Sequence, residues 1–285
     1  MRHRFDVRIG PVSFRIGSDW RAPIAALEAL YSGYPRDCMV PDYTVRLEAT
    51  RPWRRWIRSS VKIGGDHMLP EALPLPLAQG LLAAEMGMNL QVALGERRFL
   101  LLHAASVERD GRALILTGES GSGKSTLSAL LMGAGWRFLG DEFVLLDPET
   151  GALHPFPRAI SLKNESIAAV GAHVADNRFG PLLTDTPKGT IRHLRPDVRA
   201  IADMAVPAAP AMILFPRYGL PESVREVLPG ETFVRLTQAS TNYTALGERG
   251  FGALTRLVTA LPALAIDYPD TDSALDRVAA LWRSQ

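Results

Sequence analysis

A glycine-rich segment at residues 118–125, GESGSGKS, limits the fold of this chain more than any other stretch of its sequence. The segment fits G-x-x-x-x-G-K-[ST] at every required position, between a predicted strand (ILTG) and a predicted helix (STLSALLMGAG). Glycines in such a loop let backbone N–H groups converge on phosphate oxygens, and the helix N-terminus adds partial positive charge. The sequence therefore predicts an α/β fold in which this strand, loop and helix bind a nucleoside triphosphate.

The predicted nucleotide-binding residues lie in this loop and at the start of the helix. Lys124 would neutralise the β and γ phosphates, and the Ser125 hydroxyl can ligate Mg²⁺. The full predicted set is Gly118, Ser120, Gly121, Ser122, Gly123, Lys124, Ser125 and Thr126. A nucleoside triphosphate with Mg²⁺ is therefore the predicted ligand pair.

Lysine is scarce in this chain, because 28 of its 32 basic residues are arginines. The four lysines are Lys62, Lys124, Lys163 and Lys188. A lysine offers a compact ammonium on a slim stem, whereas arginine offers a wide planar fork. A position that keeps lysine can therefore require the compact ammonium, and Lys124 in the glycine-rich loop is such a position. Codon bias with chance is the alternative explanation for the set.

Charge and cysteine content narrow the class of protein. The net charge of +2 argues against a dedicated nucleic-acid binder. The single cysteine, Cys38, cannot form an intrachain disulfide, which suits a reducing compartment. The N-terminal residues lack the apolar core of a signal peptide, and no run of about 18 apolar residues indicates a membrane span. We expect a cytoplasmic protein without nucleic-acid or membrane partners.

The pattern of predicted elements changes at residue 98, where the apolar strands that lead to the glycine-rich loop begin. We predict a small α+β unit over residues 1–97 and a phosphate-loop domain over residues 98–285. The segment 51–58, RPWRRWIR, is predicted to be an amphipathic edge strand with snorkelling arginines, and a nucleic-acid site that uses stacking is the alternative. Residues 136–147 are predicted to form one strand, and residues 176–199 a loop-rich insertion.

Phosphoryl transfer needs a metal-binding carboxylate beside the phosphates, and the strand after the predicted helix carries two acids, Asp141 and Glu142. Side chains alternate along a strand, so one carboxylate would face the nucleotide and the other would face away unless a bulge intervenes. An acidic pair at a solvent-facing strand edge is the alternative.

The segment 102–147 resembles the core of the HPr kinase/phosphorylase family, whose active site is related to that of phosphoenolpyruvate carboxykinase. In that family a histidine precedes the phosphate loop, and an acidic pair follows the next helix. His103 lies 21 residues before Lys124, and Glu142 lies 18 residues after it, which matches the family pattern. The segments SLKNES, DTPKGT and LFPRY are similar to those of HPr-kinase-related proteins of unassigned substrate. The resemblance implies a P-loop kinase core, a mixed sheet with flanking helices, over residues 98–285.

The resemblance also implies roles for individual residues. Glu142 would be the base towards a substrate seryl hydroxyl, and Asp141 would bind Mg²⁺. The family normally has Asp at the second position of the pair, so which of the two acids is the base stays open. His103 would orient or neutralise charge beside the phosphates, with a hydrogen-bonded histidine under a sheet as the alternative. The implied metal ligands are Ser125, Asp141 and Glu165.

Four further basic residues are weaker candidates for substrate or phosphate contacts, and solvated surface charges are the alternative for each. They are Lys163, Lys188, Arg192 and Arg217. Of the basic segment that the family uses for phosphorolysis, only Pro216 and Arg217 are kept, so we expect no phosphorylase activity.

The resemblance thus implies an ATP-dependent kinase that transfers the γ-phosphate to a seryl hydroxyl of a protein or peptide. It also implies Mg²⁺ as a cofactor and a homo-oligomer. A small-molecule kinase that uses the same site is one alternative, and a nucleotide-binding regulatory module with little turnover is another. The N-terminal unit does not resemble that of the family, so HPr itself is not implied as the substrate.

Overall fold

The fold was analysed in a computed structural model that describes residues 2–37 and 39–284, so Cys38 lies outside the described residues. Strands and helices alternate along the chain and build a mixed α/β architecture with mixed sheets. The strands are β1 (His3–Ile9), β2 (Val12–Ser18), β3 (Tyr43–Ala49), β4 (Ser60–Gly65), β5 (Leu75–Pro76), β6 (Leu100–Leu102), β7 (Ala104–Arg109), β8 (Arg112–Thr117), β9 (Arg137–Gly140), β10 (Val144–Leu146), β11 (Leu153–His154), β12 (Ile160–Lys163), β13 (Phe179–Thr186), β14 (Gly189–Leu194), β15 (Ala209–Tyr218), β16 (Ser223–Glu226) and β17 (Ala263–Tyr268). The helices are α1 (Arg21–Leu30), α2 (Gly80–Gly95), α3 (Lys124–Gly133), α4 (Glu165–Gly171), α5 (Val198–Ala202), α6 (Pro229–Ala239), α7 (Tyr243–Leu246), α8 (Glu248–Ala260) and α9 (Thr271–Arg283).

The N-terminal strands form one sheet in the order β1-β2-β3-β4-β5. The hairpin of β1 and β2 turns at Gly10, whose φ of +53° lies in the left-handed region that favours glycine. Helix α1 connects β2 to the parallel strand β3, and α2 packs on β3 and β4. Apolar side chains that alternate along the strands, such as Val45 and Leu47, are fully buried beneath α2.

A second sheet has the order β16-β17-β15-β8-β7-β9, in which β8, β15 and β17 run parallel. Its central strand β8 is buried on both faces. Leu114 and Leu116 of β8 belong to a core that includes α3 and α9, whereas Ala113 and Ile115 belong to a core that includes α6 and α8. This pattern follows from the alternation of side chains across a strand, and it explains why β8 reads as a continuous apolar run.

Three local predictions were wrong. The segment 51–58 contains a 3₁₀ turn, Pro52–Arg55, in place of an edge strand, since proline cannot donate a ladder hydrogen bond. The predicted strand over 136–147 is two strands, because Glu142 has a φ of +69° that breaks the extended backbone. The predicted insertion over 176–199 contains the hairpin of β13 and β14, which turns at Gly189 with a φ of +84°.

The predicted domain boundary at residues 97 and 98 falls in the connection between α2 and β6 and stays a prediction. One apolar core contains side chains from both sides of it, including Phe14 and Leu27 together with Phe143 and Phe156. Among the described residues, no helix is long and apolar enough to span a membrane.

Candidate active site

One edge of the second sheet gathers most of the predicted site residues. The glycine-rich loop leaves the carboxyl end of β8, and Asp141 follows β9, which runs antiparallel to β7 as β8 does. His103 immediately precedes β7, whose first residue, Ala104, pairs with Thr117 at the end of β8. The carboxyl ends of parallel strands commonly form ligand sites, because the loops that follow them meet there. The sheet topology therefore brings together residues that are far apart in sequence.

The glycines of the loop occupy backbone conformations that other residues rarely adopt. Gly118, Gly121 and Gly123 have φ values of +150°, +86° and +98°. A methyl group at Gly123 would also lie only 2.9 Å from the Tyr268 hydroxyl oxygen. Helix α3 begins directly after Gly123, and the first turn of a helix leaves its N–H groups without intrahelical partners. The loop thus presents its backbone donors at a helix N-terminus, an arrangement suited to an anion.

The Lys124 side chain is buried within this loop. Its Nζ donates hydrogen bonds to the carbonyl oxygens of Gly118 at 2.7 Å and Glu119 at 2.8 Å. Burial lowers the pKa of the ammonium below its ordinary value, while the charges of Asp141 and Glu142 act in the opposite direction. An ammonium has three donors, so one remains for a further acceptor beside the loop.

Asp141 is buried next to Ser125, at the start of α3. Burial raises the pKa of the Asp141 carboxyl to about 7, and the charge of Glu142 adds to this rise, whereas hydrogen bonding with the Ser125 hydroxyl opposes it. Among the described residues, Asp141 Oδ2 has no hydrogen-bond partner. A buried carboxylate oxygen without a partner is unfavourable unless a further group satisfies it. The position is therefore chemically suited to a cation held by carboxylate and hydroxyl oxygens.

Glu142 and His103 form the more accessible half of the site. The left-handed backbone of Glu142 brings its carbonyl oxygen to His103, whose Nδ1 donates to that oxygen at 3.1 Å. The same Nδ1 lies 3.6 Å from the Glu142 carboxylate oxygen Oε2. The side chain of His103 is 45% exposed and that of Glu142 is 34% exposed. The two adjacent acids thus differ in access, because Asp141 is buried and Glu142 faces solvent.

Asn242 helps to hold His103 in place and was missed by the sequence analysis. Its buried side-chain amide accepts a hydrogen bond from the Leu101 backbone N–H at 2.9 Å and donates to the carbonyl oxygens of Glu96 and Phe99. The His103 N–H donates to the Ala239 carbonyl oxygen at 2.7 Å. These bonds fix the strand β6 and the residue after it. The partners of Asn242 are distant in sequence, so the periodicity of apolar residues around position 242 gives no sign of its role.

Lys163 and Glu165 lie where β12 passes into α4. The charge of Lys163 contributes to the lowered pKa of Lys124, so the two ammonium groups lie within electrostatic reach. Asn164 between them has a φ of +50°, and its side chain accepts a hydrogen bond from the Thr190 N–H at 3.0 Å. Glu165 is exposed. The described residues contain no cluster of three or more His, Cys, Asp or Glu side chains that could hold a metal, so Glu165 is not gathered with Asp141 into such a cluster.

The other basic candidates have separate surroundings. Lys188 is exposed in the turn between β13 and β14. The Arg192 guanidinium pairs with Asp176 at 2.9 Å and lies over the Phe179 ring, so its contacts are with residues 176–180 of the neighbouring segment. Arg217 lies near the end of β15, and its guanidinium makes two hydrogen bonds of 2.7 Å to Asp267 of β17. A substrate contact by any of these three residues, or by Lys163, stays a prediction.

Comparisons with known proteins give distant similarity to solved structures alone. No protein-family model matches the chain, and no curated protein matches it. Among solved structures, the chain is similar to the Hpr(Ser) kinase/phosphatase from Coxiella burnetii, with 14% sequence identity and a TM-score of 0.28. The match covers 65% of this chain and 99% of that one. The structural relationship is distant, and it assigns the chain to no family.

Proposed function

We propose that the protein is an ATP-dependent phosphotransferase that transfers the γ-phosphate to a hydroxyl group, seryl by the resemblance, of a protein or peptide. The observation that carries this proposal is the convergence of three features at one sheet edge. They are the glycine-rich loop with Lys124, the buried pair of Ser125 and Asp141, and the accessible pair of His103 and Glu142. Together they offer an anion site, a cation site and a base.

The loop and Lys124 would bind and orient the triphosphate. Backbone N–H groups at the start of α3 face the anion, and the remaining donor of the Lys124 ammonium is available to a phosphate oxygen. Burial strengthens this interaction, since water competes less for the ammonium. Such positioning supplies most of the catalysis in phosphoryl transfer.

Ser125 and Asp141 fit Mg²⁺, because this ion prefers carboxylate and hydroxyl oxygens and Asp141 Oδ2 is buried without a partner among the described residues. When bound there, Mg²⁺ would supply positive charge that neutralises the negative charge developing on the phosphates. Metal binding requires the ionised form of the Asp141 carboxyl, which burial disfavours and hydrogen bonding with the Ser125 hydroxyl favours.

Glu142 is the better placed base. A hydroxyl on a protein or peptide must approach from solvent, and of the two acids only Glu142 is accessible there. The hydroxyl oxygen would form a bond to the γ-phosphorus, the bond between that phosphorus and the bridging oxygen would break to release ADP, and the hydroxyl proton would pass to the Glu142 carboxylate. His103 would help to position this residue, because its Nδ1–H donates to the Glu142 main-chain carbonyl oxygen. The open position of the base favours a macromolecular acceptor over a small molecule in a closed pocket.

Replacing Glu142 with glutamine should reduce phosphoryl transfer by about 10²–10⁴-fold, the usual contribution of general-base catalysis, and should leave ATP affinity within about threefold of the wild type. The amide has almost the same shape but cannot accept the proton. Transfer rates with radiolabelled ATP and affinities from calorimetry measure the two quantities.

Asp141→Asn is the matched control. It should lose the Mg²⁺ dependence of ATP binding as well as transfer, because the proposed metal ligand is altered. If Asp141→Asn loses transfer with normal Mg²⁺-dependent binding and Glu142→Gln stays active, Asp141 is the base and the assignment made above is wrong.

A further inference from the structure

We propose that Tyr218 forms a stacking platform for the base of the nucleotide, next to the glycine-rich loop. This inference rests on the proposed function, since it adds a base subsite to the phosphate site. Tyr218 is the last residue of β15, the strand that lies beside β8 in the sheet. Tyr218 therefore lies at the same sheet edge as the loop. Because β15 and β7 flank β8 on opposite sides, Tyr218 is on the side of the loop away from His103 and Asp141.

The space around the loop glycines shows that Tyr218 lies beside the loop. A methyl group at Gly123 would lie 3.5 Å from Tyr218 Cβ and 2.9 Å from the Tyr268 hydroxyl oxygen. The main-chain carbonyl of Pro216 is likewise 3.9 Å from the corresponding position at Gly118. The ends of β15 and β17 thus line the loop on this side, and a nucleotide whose phosphates occupy the loop would extend its base towards one flank or the other.

The Tyr218 ring is exposed but its backbone is fixed. Tyr218 is 58% exposed, although the strand from which it projects is buried from Met212 to Pro216. Gly219, with a φ of +80°, turns the chain sharply, and its N–H donates to the Tyr268 carbonyl oxygen at 2.9 Å. The Tyr268 ring is buried and meets the Tyr218 ring edge to face, with centroids 6.0 Å apart. An exposed ring on a rigid support is preorganised for stacking, because little conformational freedom is lost on binding.

Neighbouring polar groups at this flank are already paired with one another. Asp267 accepts two hydrogen bonds from Arg217 and one from the Ser223 hydroxyl at 3.0 Å. These bonds occupy both carboxylate oxygens of Asp267. The face of the Tyr218 ring is therefore the feature of this flank that can receive a base, and base–aromatic stacking does not depend on the identity of the base.

Calorimetric titration of the full chain with Mg²⁺-ATP and with inorganic tripolyphosphate tests this inference. Tyr218→Ala should weaken ATP binding about tenfold, the usual loss when a stacking ring is removed, and should leave tripolyphosphate affinity within about twofold. Tyr218→Phe keeps the ring and should bind ATP as the wild type does. Trp56→Ala removes another exposed ring, 71% exposed and in the N-terminal part of the chain, and serves as the matched control.

Thermal unfolding of each variant checks that the fold is kept, which is expected for an exposed side chain. The inference alone is overturned if the wild type binds both ligands and Tyr218→Ala binds ATP equally well, or loses ATP and tripolyphosphate in the same proportion. If the wild type binds neither ligand, the phosphate site fails and this base subsite fails with it.

Discussion

Replacing Lys124 with alanine should reduce phosphate transfer from ATP by at least about 10²–10³-fold, the usual effect of removing one preorganised electrostatic contact in an active site. The Lys124 ammonium is buried and held by two loop carbonyl oxygens, so its charge acts where water screens it little. The loss should appear in turnover and in ATP affinity. Steady-state transfer rates and calorimetric affinities of the purified variant measure both.

Two further variants make this test specific to the position. Lys124→Arg keeps the charge but places a wide planar fork where the loop encloses a slim stem, so it should also lose most activity. Lys62→Ala removes an exposed lysine of β4 and should behave as the wild type. Wild-type activity in a folded Lys124→Ala variant would contradict the assignment of this loop as the phosphate site.

Replacing Arg158 with methionine should lower the free energy of unfolding by about 3–5 kcal/mol, because it leaves the partner charge of a buried ion pair without compensation. Arg158 and Glu85 are 3% and 4% exposed, and their side chains are paired. The Arg158 guanidinium also donates to Asn89 and to the Glu85 carbonyl oxygen, while the Tyr31 hydroxyl donates to the Glu85 carboxylate at 2.9 Å. Equilibrium unfolding in urea measures the change.

The double variant Glu85→Leu, Arg158→Met separates a lost charge pair from lost packing. Because both charges are removed, it should recover most of the stability that the single variant loses. Arg21→Ala, which removes an exposed partner of Glu28, should leave the unfolding midpoint unchanged within error. A single Arg158→Met variant as stable as the wild type would show that this pair does not hold α2 to the rest of the chain.

The strand, loop and helix around residues 118–125 could be predicted because each signal is local. Apolar residues precede the loop, glycines permit its positive φ values, and the helix follows at once. The backbone conformation of Glu142, which ends the strand between the two acids, could not be predicted in the same way. Glu142 adopts a left-handed backbone although it is not glycine, and only its surroundings, such as the contact with His103, support that conformation.

Long-range contacts explain the other differences between sequence and structure. Asn242 fixes the segment before His103 from a position 141 residues beyond Leu101, so no local pattern marks it. The hairpin of β13 and β14 alternates weakly, because Leu183 is buried between exposed neighbours and Ile191 between half-buried ones. Polar residues on both strands make this alternation hard to detect in the sequence. Arg192 keeps its contacts within that region, which a list of basic residues could not show.

The most direct test of the proposed phosphotransferase is the fate of the γ-phosphate. The purified full chain would be incubated with γ-labelled ATP, Mg²⁺ and an extract of its source cells, with the Lys124→Ala variant in parallel. We expect the label in a protein or peptide, stable to acid and released by alkali as a seryl phosphate is, and absent with the variant. Label found only in small molecules would contradict the acceptor, and equal labelling by the wild type and Lys124→Ala, or none by either, would contradict phosphoryl transfer at this site.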